Sequence, residues 1–423
     1  MSNKLKVLWF INTPLDLEDF SINFSKSKGW LSSLANLING DVDLHIASVD
    51  PYKKNVKNNK VSLYYLKPSL WFVRMFFYSF FNFPIIEKGI LSQSKNLILK
   101  INPDIIHIHG TEKSYIMISD FCSKHNIPLL VSIQGICTVI NQKYNVTFND
   151  LDFYTIFFNK GFKKSSFIPK PLIILKNNML RKSRIEKNGL QKINFIAGRT
   201  EWDKNVTKIL SPQATYFTVD RILKDKFYKN VWDSNNLYNK KIILMTTMSE
   251  TVFKGFETIY KTAQIFDNQN IDFEWRIAGV NNNSWLVKSI ESKFKSKKSK
   301  NIILLGRVNE NEIVSNMLES TFYVMTSHIE NSPNNLAEAM LVGMPCIASF
   351  AGGTNTYIED NISGIMFQSG DFYCLSGLIL NLFANPSKAE KISRNARSFS
   401  LRRHNKSNVR KQLLNVYNSI LNI

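Results

Sequence analysis

No two of the four cysteines stand close enough to form a metal or redox motif. Cys122, Cys137, Cys346 and Cys374 are scattered, and no Cys/His cluster has zinc spacing. This excludes a zinc finger or ribbon and fits a chain kept in a reducing cytosol. A long apolar run is missing too. The most hydrophobic stretch, Leu70 to Ile86, contains Arg74, Asn82 and Pro84 and falls short of the roughly 20 apolar residues of a membrane span. No secretory leader is expected, because KLKVLWFINTP reads as a buried strand entering a loop, with Asp16, Glu18 and Asp19 behind it. The Asn-x-Ser/Thr triplets, such as Asn145-Val-Thr147, then carry no glycosylation meaning. Negative charge is scarce, at 33 acidic against 54 basic residues and a net charge of +21. A basic excess suits nucleic acid, an anionic membrane surface or phosphorylated ligands. Nothing resembles a zinc finger, a helix-turn-helix or a single-strand stacking module, so nucleic acid is not an expected partner.

What is present is an alternation of apolar runs and helical patterns. A chain of 423 residues is too long for one ordinary core, and two domains of about 200 residues are expected. Candidate strands are Val7–Ile11, Asp43–Ala47, Ile105–Ile108, Leu129–Ile133, Asn194–Ile196 and Tyr216–Thr218. After the polar stretch from Asp233 to Lys241 the pattern restarts with Ile242–Met245, Glu274–Ile277, Ile302–Leu305, Phe322–Met325 and Pro345–Ala348. Helical segments between them make βαβ units with parallel sheets, an α/β class. The expected domains are 1–235 and 236–395, followed by a C-terminal helix at 396–423 that can cross back to the first. Ligands of such sheets bind at the carboxyl ends of the strands, so the chemistry is sought in the loops after them.

Four pieces fall at such ends in the second half. Lys254-Gly255 opens a helix, where lysine can meet a phosphate and glycine lets backbone approach. Gly279 ends Ile277-Ala-Gly and permits a tight turn or the packing of a flat base. Gly306-Arg307-Val308 follows a strand, and a guanidinium is a planar fork suited to phosphate. The fourth is Ser327-His-Ile-Glu330-Asn-Ser-Pro-Asn-Asn-Leu-Ala-Glu338, in which two carboxylates bracket a helix start. Helix N-termini favour anions, so amides there suit a diphosphate and carboxylates suit hydroxyls. A competing explanation is local: Asn335-x-x-Glu338 has the form of a capping box, in which Glu338 only caps its own helix. Glu330, in the loop, has no such explanation.

The ordered set Lys254-Gly255, Gly306-Arg307, Glu330 with Glu338, and Gly352-Gly353 resembles the donor domain of retaining GT-B glycosyltransferases of family 4. Pro103-Asp-Ile-Ile-His107-Ile-His109-Gly110-Thr-Glu112 and Gly198-Arg-Thr-Glu201-Trp-Asp203 are similar to a bacterial branch that builds capsule, exopolysaccharide or O-antigen. The resemblance implies a GT-B fold, two Rossmann-like doubly wound domains facing across a cleft. It implies transfer of a sugar with retention from a UDP- or GDP-sugar co-substrate, without metal or other cofactor. Glu330, Lys254 and Arg307 would be catalytic. Glu338 would hold the ribose, and Asn331, Ser332, Asn334, Asn335, Leu336, Gly279, Gly306, Val308, Thr247 and Gly29 would line the donor site. Gln134, His109, Glu112 and Glu201 would lie on the acceptor side. The chain departs from the pattern in three places. Thr246-Thr-Met-Ser249 replaces an arginine that many relatives carry, Thr356 an acidic residue, and Gln134 a histidine. A catalytically inactive scaffold and a sugar-nucleotide epimerase on the same fold are the alternatives.

The acceptor is expected to be a lipid-linked or oligosaccharide chain at an anionic membrane surface. Trp71 and six phenylalanines crowd the stretch to Phe83, and Phe153 to Phe167 interleave with Lys160, Lys163, Lys164 and Lys170. Aromatics with lysines suit an anionic bilayer, each cation adding about 1 kcal/mol. The expected place is therefore cytoplasmic, peripheral at the inner face of the plasma membrane. The same pattern also fits aromatic helix cores with wet basic faces.

Overall fold

A computed structural model describes residues 4–20, 30–58, 60–68, 85–144, 146–148, 152 and 172–422. Gly29 and the aromatic segments Trp71 to Phe83 and Phe153 to Lys170 lie outside the described residues, as does Asn145. Contacts divide the chain into two compact units.

The first unit runs to Asn141, resumes over Ile174–Lys224 and ends with His404–Ile423. Its strands are β1 (Lys6–Ile11), β2 (Asp43–Val49), β3 (Val56–Lys57), β4 (Ser62–Leu66), β5 (Ile105–His109), β6 (Leu129–Ser132), β7 (Phe195–Gly198) and β8 (Thr215–Thr218). They form one sheet in the order β3-β4-β2-β1-β5-β6-β7-β8, parallel except for β3 against β4. Successive side chains on a strand point to opposite faces, so β1 feeds two cores. Val7, Trp9 and Ile11 belong to one and Leu8 and Phe10 to the other. A strand buried on both sides reads as an unbroken apolar run.

The helices of this unit are α1 (Trp30–Ile38), α2 (Ile85–Ile101), α3 (Ser119–Lys124), α4 (Cys137–Gln142), α5 (Leu172–Leu190) and α6 (Glu201–Leu210). Those of the second are α7 (Asp225–Lys229), α8 (Phe256–Asn268), α9 (Trp285–Phe294), α10 (Glu310–Glu319), α11 (Asn334–Val342), α12 (Phe372–Phe383) and α13 (Pro386–Arg403). The final helix, α14 (Lys406–Leu421), belongs to the first unit. Val409, Leu413, Val416, Tyr417 and Ile420 recur at helical spacing and complete the core around Trp9. The Tyr417 hydroxyl accepts from Trp9 Nε1 at 2.8 Å and meets His107 Nδ1 at 2.8 Å. Among the described residues no helix is long and apolar enough to cross a membrane.

The second unit contains the described residues of 142–173 and Asp225–Arg403. Its sheet is wholly parallel, with β9 (Ile242–Thr247), β10 (Phe273–Ala278), β11 (Ile302–Gly306), β12 (Phe322–Met325), β13 (Cys346–Phe350) and β14 (Ile365–Gln368) in the order β11-β10-β9-β12-β13-β14. The contact division falls at 224/225 and 403/404, where the sequence pattern places 235/236 and 395/396. Trp232 explains the first difference. It lies before the polar stretch yet is buried in the second unit, donating its backbone N–H to Val342 and Nε1 to Ser320, at 2.9 and 2.7 Å.

One buried carboxylate stands out in the first unit. Glu186 on α5 is fully buried and accepts from the backbone N–H of Cys137 and Thr138 at the start of α4, and from the hydroxyls of Thr111 and Thr138. Burial holds its pKa above the usual carboxylate range, although these donors pull it down. Glu186→Ala leaves buried N–H groups without an acceptor and is expected to lower stability by about 2–4 kcal/mol in chemical denaturation. Because the folded-state pKa is raised, the group's contribution is full below the ordinary glutamate value and declines as pH rises through the raised one. Glu186→Gln is expected to remove that slope from the stability–pH curve.

Candidate active site

The site is built where two loops of the second unit meet. After β9 the chain makes a turn at Val252–Lys254, and Gly255 then enters α8 in a left-handed conformation with φ 71°. After β12 it runs through Thr326 to Pro333 into α11. Backbone bonds zip the two loops together. His328 N–H donates to the Phe253 carbonyl at 2.8 Å, and Thr326 Oγ1 donates to the Lys254 carbonyl at 3.1 Å. A Cβ on Gly255 would sit 2.0 Å from the Thr326 carbonyl oxygen, so only glycine lets the loops approach this closely.

The zipper places Lys254 Nζ on Glu330 Oε1 as an ion pair. The lysine side chain is 17% exposed and the glutamate 11%. Ser327 Oγ donates to the same carboxylate oxygen at 2.8 Å, and the Gly353 N–H donates to the Glu330 carbonyl at 2.9 Å. Glu330 Oε2 has no hydrogen-bond partner among the described residues.

Glu338 lies eight residues further on, in the second turn of α11. The helix begins at Asn334, with Pro333 as N-cap and no side-chain cap bond. The capping box that the sequence offered for Glu338 is therefore absent. Asn335 instead reaches back to β9, its Nδ2 donating to the Thr247 carbonyl at 2.6 Å. The Thr247 N–H donates to the Tyr323 hydroxyl at 3.3 Å. Burial raises the pKa of that hydroxyl, and the nearby Glu338 carboxylate adds to the effect. Glu338, Asn335 and Thr247 thus gather around one buried tyrosine. Asn331 and Ser332 are buried in the connecting loop, and Asn334 is half-buried. Leu336 is wholly buried inside the helix. It packs the helix and offers the donor loop no side-chain surface.

The glycines after β10 and β11 serve backbone geometry. A Cβ on Gly279, at φ 95°, would meet the Met248 carbonyl oxygen at 2.0 Å. Gly279 therefore seats the loop after β9 closely against β10. Gly306 N–H donates to the Val280 carbonyl, and Val308 is half-buried. Arg307 is exposed at the end of β11, the edge strand. β10 stands between it and β9, a separation of about 10 Å at normal strand spacing. The structure does not bring Arg307 to the Lys254–Glu330 pair.

The acceptor-side candidates occupy strand ends of the first unit. His109 is 1% exposed, packed against Trp9 and His107 at centroid distances of 4.3 and 3.8 Å. Burial, then His107, Arg199 and Arg221, hold its pKa well below the usual range, so it is neutral. His107 is likewise lowered to about 3 by burial, its two nitrogens engaged by Tyr417 and Ser132. His109 is thus withdrawn from solvent, and neither of its ring nitrogens has a hydrogen-bond partner among the described residues. Glu112 accepts from Asn12 Nδ2 at 2.7 Å and from the Gly135 N–H at 3.0 Å, tying together the loops after β1, β5 and β6. Gln134 is half-buried beside it. Glu201 is exposed on the first turn of α6, near Lys204, while Thr200 and Asp203 form that helix's capping box.

One group of polar residues has no signal in the sequence. His328 Nε2 meets Glu257 on α8, and its Nδ1 meets Ser369 Oγ at 2.8 Å. The three come from segments far apart in the chain, and no local pattern joins them.

Residues 228–399 match the family model of glycosyl transferases group 1. The second unit carries a glycosyl transferases group 1 domain. An uncharacterized glycosyltransferase of Methanocaldococcus jannaschii is 26% identical over 192 residues, covering 42% of this chain. The match takes in 54% of that relative, so the chain spans about half its length. Sucrose-phosphate synthase from Thermosynechococcus elongatus aligns over 98% of this chain and 99% of its own, with a TM-score of 0.72 and 12% identity. The catalytic domain of Arabidopsis thaliana starch synthase IV aligns over the full length of both chains, with a TM-score of 0.62 and 13% identity. HepE of Anabaena aligns over 98% of this chain and 100% of its own, with a TM-score of 0.65 and 11% identity. The fold is GT-B.

The glycines of the group 1 domain can be ranked by what surrounds them. Gly255→Ala would drive a methyl into a backbone carbonyl and is expected to cost about 2–4 kcal/mol. A Cβ on Gly306 would meet only the Asn281 Cβ, at 3.7 Å. Gly306→Ala is expected to cost only the left-handed penalty, about 1–2 kcal/mol. Urea denaturation of the two variants checks the order.

Proposed function

We propose that the protein is a retaining glycosyltransferase of family 4 type. In this reading it moves a sugar from a nucleotide-sugar donor to a growing bacterial surface polysaccharide carried on lipid. The observation that carries the reading is the Lys254–Glu330 pair at the strand ends, with Glu338 on the helix behind it. HepE was solved with UDP-glucose and starch synthase IV with ADP and acarbose, which supports a nucleotide-sugar donor here.

Each group has a physical task. Glu330 Oε2, without a partner among the described residues, accepts a hydroxyl of the donor sugar. Its Oε1 stays with Ser327 and keeps the carboxylate oriented. Lys254 faces the diphosphate, whose negative charge grows as the sugar–oxygen bond breaks. A preorganised cation at developing charge is among the largest contributions to catalysis. The N-terminal end of α11 points its positive dipole end toward the same anion. Glu338 accepts the ribose hydroxyls, worth about 1.5–3 kcal/mol for bonds to a charged group. Arg307 would have to swing inward to join them. A cytoplasmic, membrane-peripheral place follows from the basic charge and the two aromatic segments, and a UDP- or GDP-sugar is the proposed donor.

A thermal-shift series with UDP, GDP, ADP and dTDP and their common sugars, without added metal, is expected to raise the melting temperature with one base. A ligand at 100 times its Kd adds about 2.7 kcal/mol. Silence with all of them would favour an inactive scaffold. Glu330→Gln is expected to reduce transfer by at least about 100-fold with little change in melting temperature. Wild-type turnover in that variant would remove Glu330 from the site. Glu338→Ala is expected to raise the donor KM by roughly tenfold.

A further inference from the structure

The second unit contains a cavity of about 530 Å³ lined by Lys143, Phe350, Met366, Phe367, Gln368 and Ser369. It opens at the carboxyl ends of β13 and β14, the edge of a parallel sheet at which ligands bind. Its volume lies within the range of small-molecule sites, about 300–1,000 Å³. Parallel register sets Phe350 beside Gln368 and Ala348 beside Met366, so Phe350, Met366 and Gln368 share one face.

Phe350 is anomalous in its strand. Cys346 to Ser349 are buried, yet Phe350 is 57% exposed. The phenyl ring offers a flat apolar platform at the mouth of the cavity. Around it, among the described residues, stand an amide, a hydroxyl and an exposed ammonium. No carboxylate is among the described lining residues, which argues against a cation as occupant. A single exposed lysine is a thin donor set for a phosphate, which draws several N–H groups. An aromatic face with amide and hydroxyl partners matches a pyranose, whose axial C–H groups lie on a ring while its hydroxyls seek donors and acceptors.

A lining residue of the cavity is linked to Glu330 through hydrogen bonds. Ser369 Oγ donates to the Ser327 carbonyl at 3.4 Å, and Ser327 Oγ holds Glu330. Ser369 is fixed in turn by His328. Phe350 leads into Ala351-Gly352-Gly353, the loop whose Gly353 N–H holds the Glu330 carbonyl. We propose that this cavity binds a pyranose oligosaccharide, the already assembled part of the acceptor, with Phe350 as stacking platform and Gln368 as hydroxyl partner. The assignment of the oligosaccharide as acceptor rests on the glycosyltransferase reading. It moves part of acceptor recognition to the group 1 domain, away from the first-unit residues of which His109 is buried and Glu112 internally bound.

The test uses the full chain and saturation-transfer NMR with maltotetraose, cellotetraose and chitotetraose. At least one is expected to receive saturation. Phe350→Ala is expected to cut that signal at least fivefold, Gln368→Ala to weaken it, and Phe350→Tyr to retain it. In all three variants the melting-temperature rise with the donor nucleotide should equal that of the wild type, which excludes misfolding as the cause. If no tetrasaccharide receives saturation, or if Phe350→Ala leaves the signal intact, the proposal is overturned. A nucleotide shift that persists in that case leaves the donor reading standing. Tetrasaccharide binding at Phe350 with no nucleotide shift in the wild type would instead keep the glycan site and remove the transferase reading.

Discussion

The group 1 domain depends on the contact between the loops after β9 and β12. Two charged side chains, Lys254 and Glu330, are largely withdrawn from water there. Withdrawing an ion costs several kcal/mol, offset only if the partner and further hydrogen bonds are well placed. The placement comes from uncharged parts. The left-handed turn at Gly255 brings the loop against Thr326, and the Phe253 and Lys254 carbonyls are taken up by His328 and Thr326. Ser327 and the Gly353 N–H then fix the glutamate from the other side. The ion pair is held in place by backbone geometry and not by its charges alone.

The first unit uses polar groups differently. His107 and His109 are neutral inside the core, and Glu112 is consumed in joining three loops. Glu186 likewise stabilises the start of α4. Glu112 and Glu186, carboxylates of a type associated with catalysis, here satisfy buried donors, because a loop passing near the core must place its N–H groups somewhere. The C-terminal helix completes this unit from the far end of the sequence through Tyr417 and the apolar stripe below it.

Much of the fold was legible because parallel strands are buried on both faces and read as apolar runs bounded by helices. All eleven expected strands have counterparts in the two sheets. Three strands lacked a sequence signal. Val56–Lys57 has two residues and is exposed, Ser62–Leu66 is a short run with two tyrosines, and Ile365–Gln368 is a four-residue edge strand. Periodicity is weak over such lengths. The polar stretch at Asp233 to Lys241 looked like a linker by composition, yet Trp232 ahead of it is anchored by long-range hydrogen bonds.

The sequence by itself determined the fold class, the order of strands and helices, and the two carboxylates around one helix start. Those properties arise from local periodicity and spacing. Only the tertiary structure decided that Glu330 pairs with Lys254, 76 residues away, and that Asn335 lies inside its helix and is not the N-cap. It also decided that His109 is buried, that Arg307 stands at an edge strand, and that Glu257, His328 and Ser369 meet. The reason is that strand order in the second sheet, β11-β10-β9-β12-β13-β14, differs from chain order. Which loops become neighbours is set by that order and not by distance along the chain.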